Sequence, residues 1–204
     1  MFLHGWSYTL SDSALRLFTL ANPKLPPIAH GGSVLEVGSC DTDFVKRVKA
    51  ADPSLKVTGL DQRKYNGKDP TDILLADVLT VDFPKESFDC VCSLSALEHI
   101  GLGRYQDPLD PDGDIKAVQR IREWLKPGGW LYFDVPYTPE GYQLFDTNKC
   151  RCYDAAALLE RFGPHDVLGV ATSHCEQWLP EIPTTNHAGP RPWWYIALLV
   201  RKDA

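Results

Sequence analysis

The sequence has no apolar run near the ~20 residues that a membrane-spanning helix needs. It has no basic excess either: 21 Lys and Arg stand against 27 Asp and Glu, a net charge of −6. Nucleic-acid binders carry a basic face, so DNA or RNA is not expected as a partner. Internal repeats and low-complexity tracts are missing. The opening MFLHGWSYTL lacks the basic start and long apolar stretch of a secretory signal, and a cytoplasmic location is expected. The 6 cysteines show none of the C-x2-C spacing that zinc sites favour. Cys90 with Cys92 and Cys150 with Cys152 are read as small reduced core or loop residues, and no metal is expected.

What is present suits one globular domain. The chain has 204 residues, 44% hydrophobic and 24% charged. Residues 1–30 read as a lead-in: SDSALRLFTL offers Leu15, Phe18 and Leu20 to one side of a short helix, and NPKLPPIAHGG then breaks it. Residues 31–204 are expected to form the single domain.

From Ser33 a strand–helix rhythm begins. SVLEV, KVTGLD, DILLAD and the nearly all-apolar FDCVCSLS read as strands, and WLYFDVP as a fifth. DTDFVKRVKAAD reads as a helix with Asp41 as its N-cap, and Phe44, Val45 and Val48 on one face. Ile115, Val118, Ile121 and Leu125 show helical spacing in DIKAVQRIREWL, which KPGG ends. DAAALLERFG is a helix with Asp154 as N-cap and Gly163 as its stop. HDVLGVATSHC and WWYIALLVRK close the chain as a strand pair joined by a proline-rich loop. The order implies an α/β fold: a seven-stranded, mostly parallel sheet, helices on both faces, and a C-terminal antiparallel hairpin.

In such a sheet, ligands bind beyond the carboxyl ends of the strands, where strand order reverses. The first strand there presents Glu36 and Gly38, the second Asp61, the third Asp77 and Val78, and the fourth Ser93 followed by Glu98 and His99. An acid ending the second strand can grip both hydroxyls of a ribose. An acid followed by a backbone N–H can read the N6 amine and N1 of adenine. An acid near the first turn favours a cation and disfavours pyrophosphate. A dinucleotide site would want G-x-G-x-x-G. VLEVGSCDTD lacks the second and third of those glycines, which makes a nicotinamide-dependent oxidoreductase improbable.

These stretches resemble the class I S-adenosylmethionine-dependent methyltransferases, in particular methyltransferase type 11 proteins, across residues 33–135. VLEVGS, VTGLD, ADV, FDCVCSLSALEHIG and LKPGGWLYFDVP follow that family's motifs in order. Where members usually show glycine, this chain has Cys40, and often where it has Thr42. The resemblance implies a Rossmann-like fold and S-adenosyl-L-methionine as cofactor. Glu36, Gly38 and Ser39 would face its methionine part, Asp61 its ribose, and Asp77 with Val78 its adenine, while the backbone around Ser93 would line the methionine. EHIGLGRYQDPLDPDGD further resembles an uncharacterised subgroup associated with cell-surface polysaccharide synthesis. A small-molecule or saccharide acceptor, methylated at oxygen, is the expectation. The rival is a catalytically inactive binding protein of the same fold, which the glycine-poor loop favours.

Methyl transfer from a sulfonium needs alignment and, for a hydroxyl acceptor, removal of a proton. His99 is the candidate base and Glu98 its neighbouring alternative; both can instead cap the turn. Asp107, Asp110, Asp112 and Asp114 fail as a calcium loop, because Ile115 and Ile121 occupy the places of its glycine and last acid. They read as a proline-shaped loop leading into a helix. Arg104, Tyr105, Asn148, Arg151, Tyr153, His187 and Arg191 fall in loops that could wall an acceptor. Trp178, Trp193 and Trp194 could stack on a ring or anchor the core. Oligomeric state has no signature in the sequence.

Overall fold

A computed structural model describes residues 25–64, 72–147, 149–172 and 194–203. The main sheet contains β1 (Ser33–Val37), β2 (Lys56–Asp61), β3 (Ile73–Leu75), β4 (Phe88–Leu94), β5 (Leu125–Tyr137), β8 (Asp166–Thr172) and β9 (Trp194–Arg201). Its order is β3-β2-β1-β4-β5-β9-β8. The first five strands run parallel, and β9 runs antiparallel to both β5 and β8. The strand order therefore reverses between β1 and β4, and the expected α/β sheet with a closing antiparallel pair is what forms.

Alternation along the strands assigns each face. Leu35, Val37, Val91, Leu131 and Phe133 join one cluster with Val118 and Ile121 of α2 (Gly113–Trp124) and Leu158 of α3 (Ala155–Phe162). Val34, Cys90, Cys92, Trp130 and Tyr132 join another with Phe44, Val45 and Val48 of α1 (Phe44–Ala51). Both faces of the central strands are covered, which explains why their sequences read as unbroken apolar runs.

Local structure departs from the sequence reading in three places. The helix does not start at Asp41: a 3-10 turn spans Ser39–Asp41, and Asp43 is the N-cap of α1. The reason is competition. The Cys40 N–H donates to Asp61 Oδ2 at 2.8 Å, the Thr42 hydroxyl donates to Glu36 at 2.6 Å, and Thr42 stays extended. Second, β5 begins at Leu125 rather than Trp130, with a register shift against β4 at Phe88/Cys90 that absorbs the Pro-Gly-Gly. Third, β6 (Gln143–Phe145) and β7 (Cys150–Cys152) form a small antiparallel ribbon where a loop was expected. Asp154 caps α3 as expected, accepting from the Ala157 N–H at 2.7 Å, and Gly163 follows at φ 71°. The lead-in helix over 11–20 lies outside the described residues, as do Asn148, Trp178, His187, Arg191, Trp193 and the side chain of Trp194. No helix among the described residues is long and apolar enough to cross a membrane.

Candidate functional site at the carboxyl edge of the sheet

Register brings the strand ends together. Val37 pairs with Leu60 on one side and Ser93 on the other, so Gly38 and Asp61 emerge side by side. Gly38 adopts φ 93°, and its N–H donates to the Leu60 carbonyl at 2.8 Å. A Cβ there would sit 2.4 Å from the Ala96 Cβ in the turn after β4. This glycine is thus required by conformation and by close approach of two turns, without any phosphate. Side chains close the rest of the loop: the Ser39 hydroxyl donates to the Glu36 carbonyl at 3.1 Å. Gly59 makes room for it, since a Cβ on Gly59 would lie 2.6 Å from Ser39 Oγ. The reading of the sequence missed Gly59; the available signal was a glycine inside a strand.

Glu36 is fully buried, and its Oε2 has no hydrogen-bond partner among the described residues; nor has Ser93 Oγ. Burial pushes the Glu36 carboxyl up to about 7, against hydrogen bonds from Thr42 and Ser39. The folded chain therefore holds this proton more tightly than the unfolded chain does. That stability is fully present below the ordinary value of 4.5 and is lost as pH rises through about 7, a contribution of about 3 kcal/mol. Glu36→Gln is expected to flatten this slope. In urea unfolding, the variant's stability should fall less between pH ~5 and ~8 than the parent's.

Asp61 already has several partners. Its Oδ2 accepts from the Cys40 N–H (2.8 Å) and Arg63 Nη2 (3.2 Å); its Oδ1 accepts from Arg63 N (2.8 Å) and Nε (3.2 Å). Asp77 closes the turn after β3, where Oδ1 accepts from the Leu79 N–H at 2.8 Å, and it remains partly exposed. The following Val78 is buried, with its carbonyl accepting from Arg120 Nε at 2.9 Å.

Beyond β4 the chain turns through Ser95, a non-glycine residue at φ 48°. Such a conformation persists where surroundings fix it. Here the Ser95 N–H donates to Asp134 Oδ1 at 2.7 Å and its hydroxyl to Glu98 Oε1 at 2.6 Å. Asp134 escaped the sequence reading, although an acid inside WLYFDVP was a visible anomaly. A 3-10 turn, Leu97–His99, then buries both candidate catalytic groups. Burial raises Glu98 to about 7. Burial, helped by the Arg104 charge, lowers His99 to about 3, so its ring is neutral. His99 Nδ1 lies 2.8 Å from the Lys149 carbonyl. A carbonyl only accepts, so Nδ1 carries the proton and Nε2 presents its lone pair. The His99 ring meets Tyr105 edge-on at 6.0 Å, and Arg63 and Arg104 lie over the same tyrosine at 4.1 and 5.3 Å. The loops after β2 and β4 thus converge above the sheet edge.

Arg151 and Tyr153 do not wall this edge; both are completely buried. Arg151 donates to the carbonyls of Ile100 (2.7 Å), Pro111 (3.0 Å), Asp110 (3.3 Å) and Glu98 (3.4 Å). Asp114 accepts from Tyr153 OH (2.9 Å) and Arg161 (2.6 and 2.8 Å). Asp107 accepts from the N–H groups of Gly101, Gly103 and Tyr105 at 2.8–3.1 Å. The aspartate run is the internal frame of its loop.

The family model described as "Caenorhabditis protein of unknown function, DUF268" matches residues 55–178, more than half of the chain. The chain belongs to the DUF268 family. No curated protein matches the sequence. Among solved structures, this DUF268 chain is similar to the 1,6-didemethyltoxoflavin-N1-methyltransferase of Burkholderia thailandensis, bound to 1,6-didemethyltoxoflavin and S-adenosylhomocysteine. The identity is 16%, with 97% of this chain and 80% of that one covered and a TM-score of 0.64. It is also similar to the N-methyltransferase NodS of Bradyrhizobium japonicum in complex with S-adenosylhomocysteine, at 14% identity, 98% and 89% coverage and TM-score 0.56. The [4+2]-cyclase SpnF matches at 17% identity, 97% and 81% coverage and TM-score 0.61. At such identities the likeness establishes the fold, that of the class I methyltransferases, and leaves the chemistry to the site.

Proposed function

We propose that the chain is an S-adenosylmethionine-dependent methyltransferase that methylates an oxygen of a small molecule or saccharide. What supports this is one edge: Glu36, Asp61 and Asp77 end three neighbouring strands beside the switch point, with Glu36 Oε2 and Ser93 Oγ buried and unpartnered among the described residues. Unpaired buried polar atoms are costly, and a ligand carrying donors relieves that cost. When bound, S-adenosyl-L-methionine supplies an activated methyl group on a sulfonium. In this reading Asp61 holds the ribose hydroxyls and Asp77 with the Val78 N–H reads adenine. Glu36, Gly38, Ser39 and Ser93 line the methionine. Glu98 and His99 stand where the acceptor approaches. The His99 Nε2 lone pair can take its proton, but a group held near 3 is a weak base, so its larger part is to orient the acceptor. Calorimetry with S-adenosylhomocysteine tests the reading: heat of binding is expected, and its absence at ~1 mM ligand overturns it.

A second reading, a binding protein of this fold without catalysis, has one observation in its favour: Arg63 occupies Asp61. Arg63→Ala separates the two. If Asp61 serves a ribose, releasing the two long charge-assisted contacts from Arg63 Nε and Nη2 should tighten S-adenosylhomocysteine binding by roughly tenfold. If it serves only Arg63, the variant binds no better than the parent.

A further inference from the structure

The ribbon strand β7 meets the 3-10 turn after β4, and their junction collects three metal-ligating side chains. Glu98, His99 and Cys150 offer a carboxylate oxygen, an imidazole nitrogen and a sulfur, all within 4.8 Å of one another. All three are buried, and Cys150 comes from far along the chain. The tautomer of His99 is fixed by the Lys149 carbonyl, the arrangement that orients histidine ligands in metal sites. Its Nε2 lies 3.6 Å from Glu98 Oε1. That is too long for a hydrogen bond, yet close to the roughly 3.4 Å separating two ligands each about 2.0–2.1 Å from one tetrahedral ion. Glu98 Oε2 is buried with no partner among the described residues. Oε1 also accepts from the Ser95 hydroxyl at 2.6 Å, so the carboxylate of the cluster keeps one paired and one unpaired oxygen.

We propose that Glu98, His99 and Cys150 form a mononuclear zinc site with an open fourth position. One nitrogen, one oxygen and one sulfur suit zinc, and three protein ligands leave room for a water or a substrate oxygen. Binding releases to solvent the Cys150 thiol proton, which otherwise points to the Arg151 carbonyl at 3.3 Å, and any proton held by the Glu98 carboxyl, in exchange for the zinc–sulfur and zinc–oxygen bonds. Carboxylate and thiolate then cancel the two charges of the ion, so the loaded site is neutral beside Arg104 and Arg151, whose charges reach Glu98 and Cys150. The consequence for catalysis rests on the methyltransferase reading: with Nε2 given to the metal, His99 no longer meets the acceptor proton, and an acceptor hydroxyl bound to zinc loses that proton readily to solvent.

The test uses the full chain with zinc, then cobalt(II) as a spectroscopic substitute. About one zinc per chain should survive gel filtration, and cobalt should give a thiolate charge-transfer band. Cys150→Ser should abolish that band and weaken zinc binding by at least roughly a hundredfold, since even residues behind a ligand cost ten- to a hundredfold. Cys152→Ser, outside the cluster, should keep the band. Lack of retained zinc, or a band that survives Cys150→Ser, overturns the site. If Cys150→Ser fails to fold, a parent cobalt spectrum without a thiolate band overturns it. S-adenosylhomocysteine calorimetry on the same preparations keeps the two proposals apart. Cofactor binding without metal removes the zinc site alone, and metal without cofactor binding removes the methyltransferase reading alone.

Discussion

Asp61→Ala is expected to lower affinity for S-adenosylhomocysteine by about a hundredfold. A carboxylate gripping two ribose hydroxyls makes two charge-assisted hydrogen bonds. Each is worth about 1.5–3 kcal/mol net, and about 1.4 kcal/mol is a factor of ten. Competition from Arg63 reduces the net gain, which is why the expected loss sits at the lower end. The carboxylate also receives the Cys40 N–H at 2.8 Å, so its removal loosens the Ser39–Asp41 turn. Asp61→Asn controls for that: it keeps an acceptor for Cys40 while removing the charge. If both variants bind like the parent by calorimetry, Asp61 is not a ribose ligand, and its partners Cys40 and Arg63 are its whole purpose.

Much of this edge was legible in the sequence because it depends on order and spacing. Acids at strand ends converge whenever parallel strands are neighbours, and continuous apolar runs such as FDCVCSL announce strands covered on both faces. Capping was legible where nothing competed, as at Asp154. It failed at Asp41, where distant partners, Asp61 and Glu36, claim the backbone and hydroxyl groups that would start a helix. The β6–β7 ribbon escaped because three-residue strands are too short to show a period, and the wholly buried β7 places an arginine between its two cysteines. The nearness of Cys150 to Glu98 and His99 follows from that ribbon's docking, which local pattern does not encode. Cys150 therefore read as a loop residue, and the spacing rule for zinc gave no warning, because it describes ligands that are neighbours in sequence.

Arg151→Ala is expected to destabilise the chain by about 3–5 kcal/mol, the cost of removing one partner from a buried charged network. The guanidinium is wholly buried, lies 3.5 Å from Asp114, and donates to the Glu98, Ile100, Asp110 and Pro111 carbonyls. Without it those carbonyls lose their buried donors and are left lining a cavity that no side chain fills. Asp114 keeps Arg161 and Tyr153, so the loss falls on the loop rather than on the carboxylate. Since domains are stable by only about 5–15 kcal/mol, the variant should stand near the threshold of folding. Arg151→Lys should recover little, because one ammonium does not reproduce a fork serving four carbonyls. Urea unfolding measures the effect; a change under ~1 kcal/mol would mean that the loop holds itself. The same experiment separates scaffold from substrate contact. An acceptor-binding arginine would raise KM and leave unfolding unchanged, whereas a buried brace lowers stability first. The Leu97–His99 turn should then loosen with it, because Arg151 holds the Glu98 and Ile100 carbonyls on either side of His99.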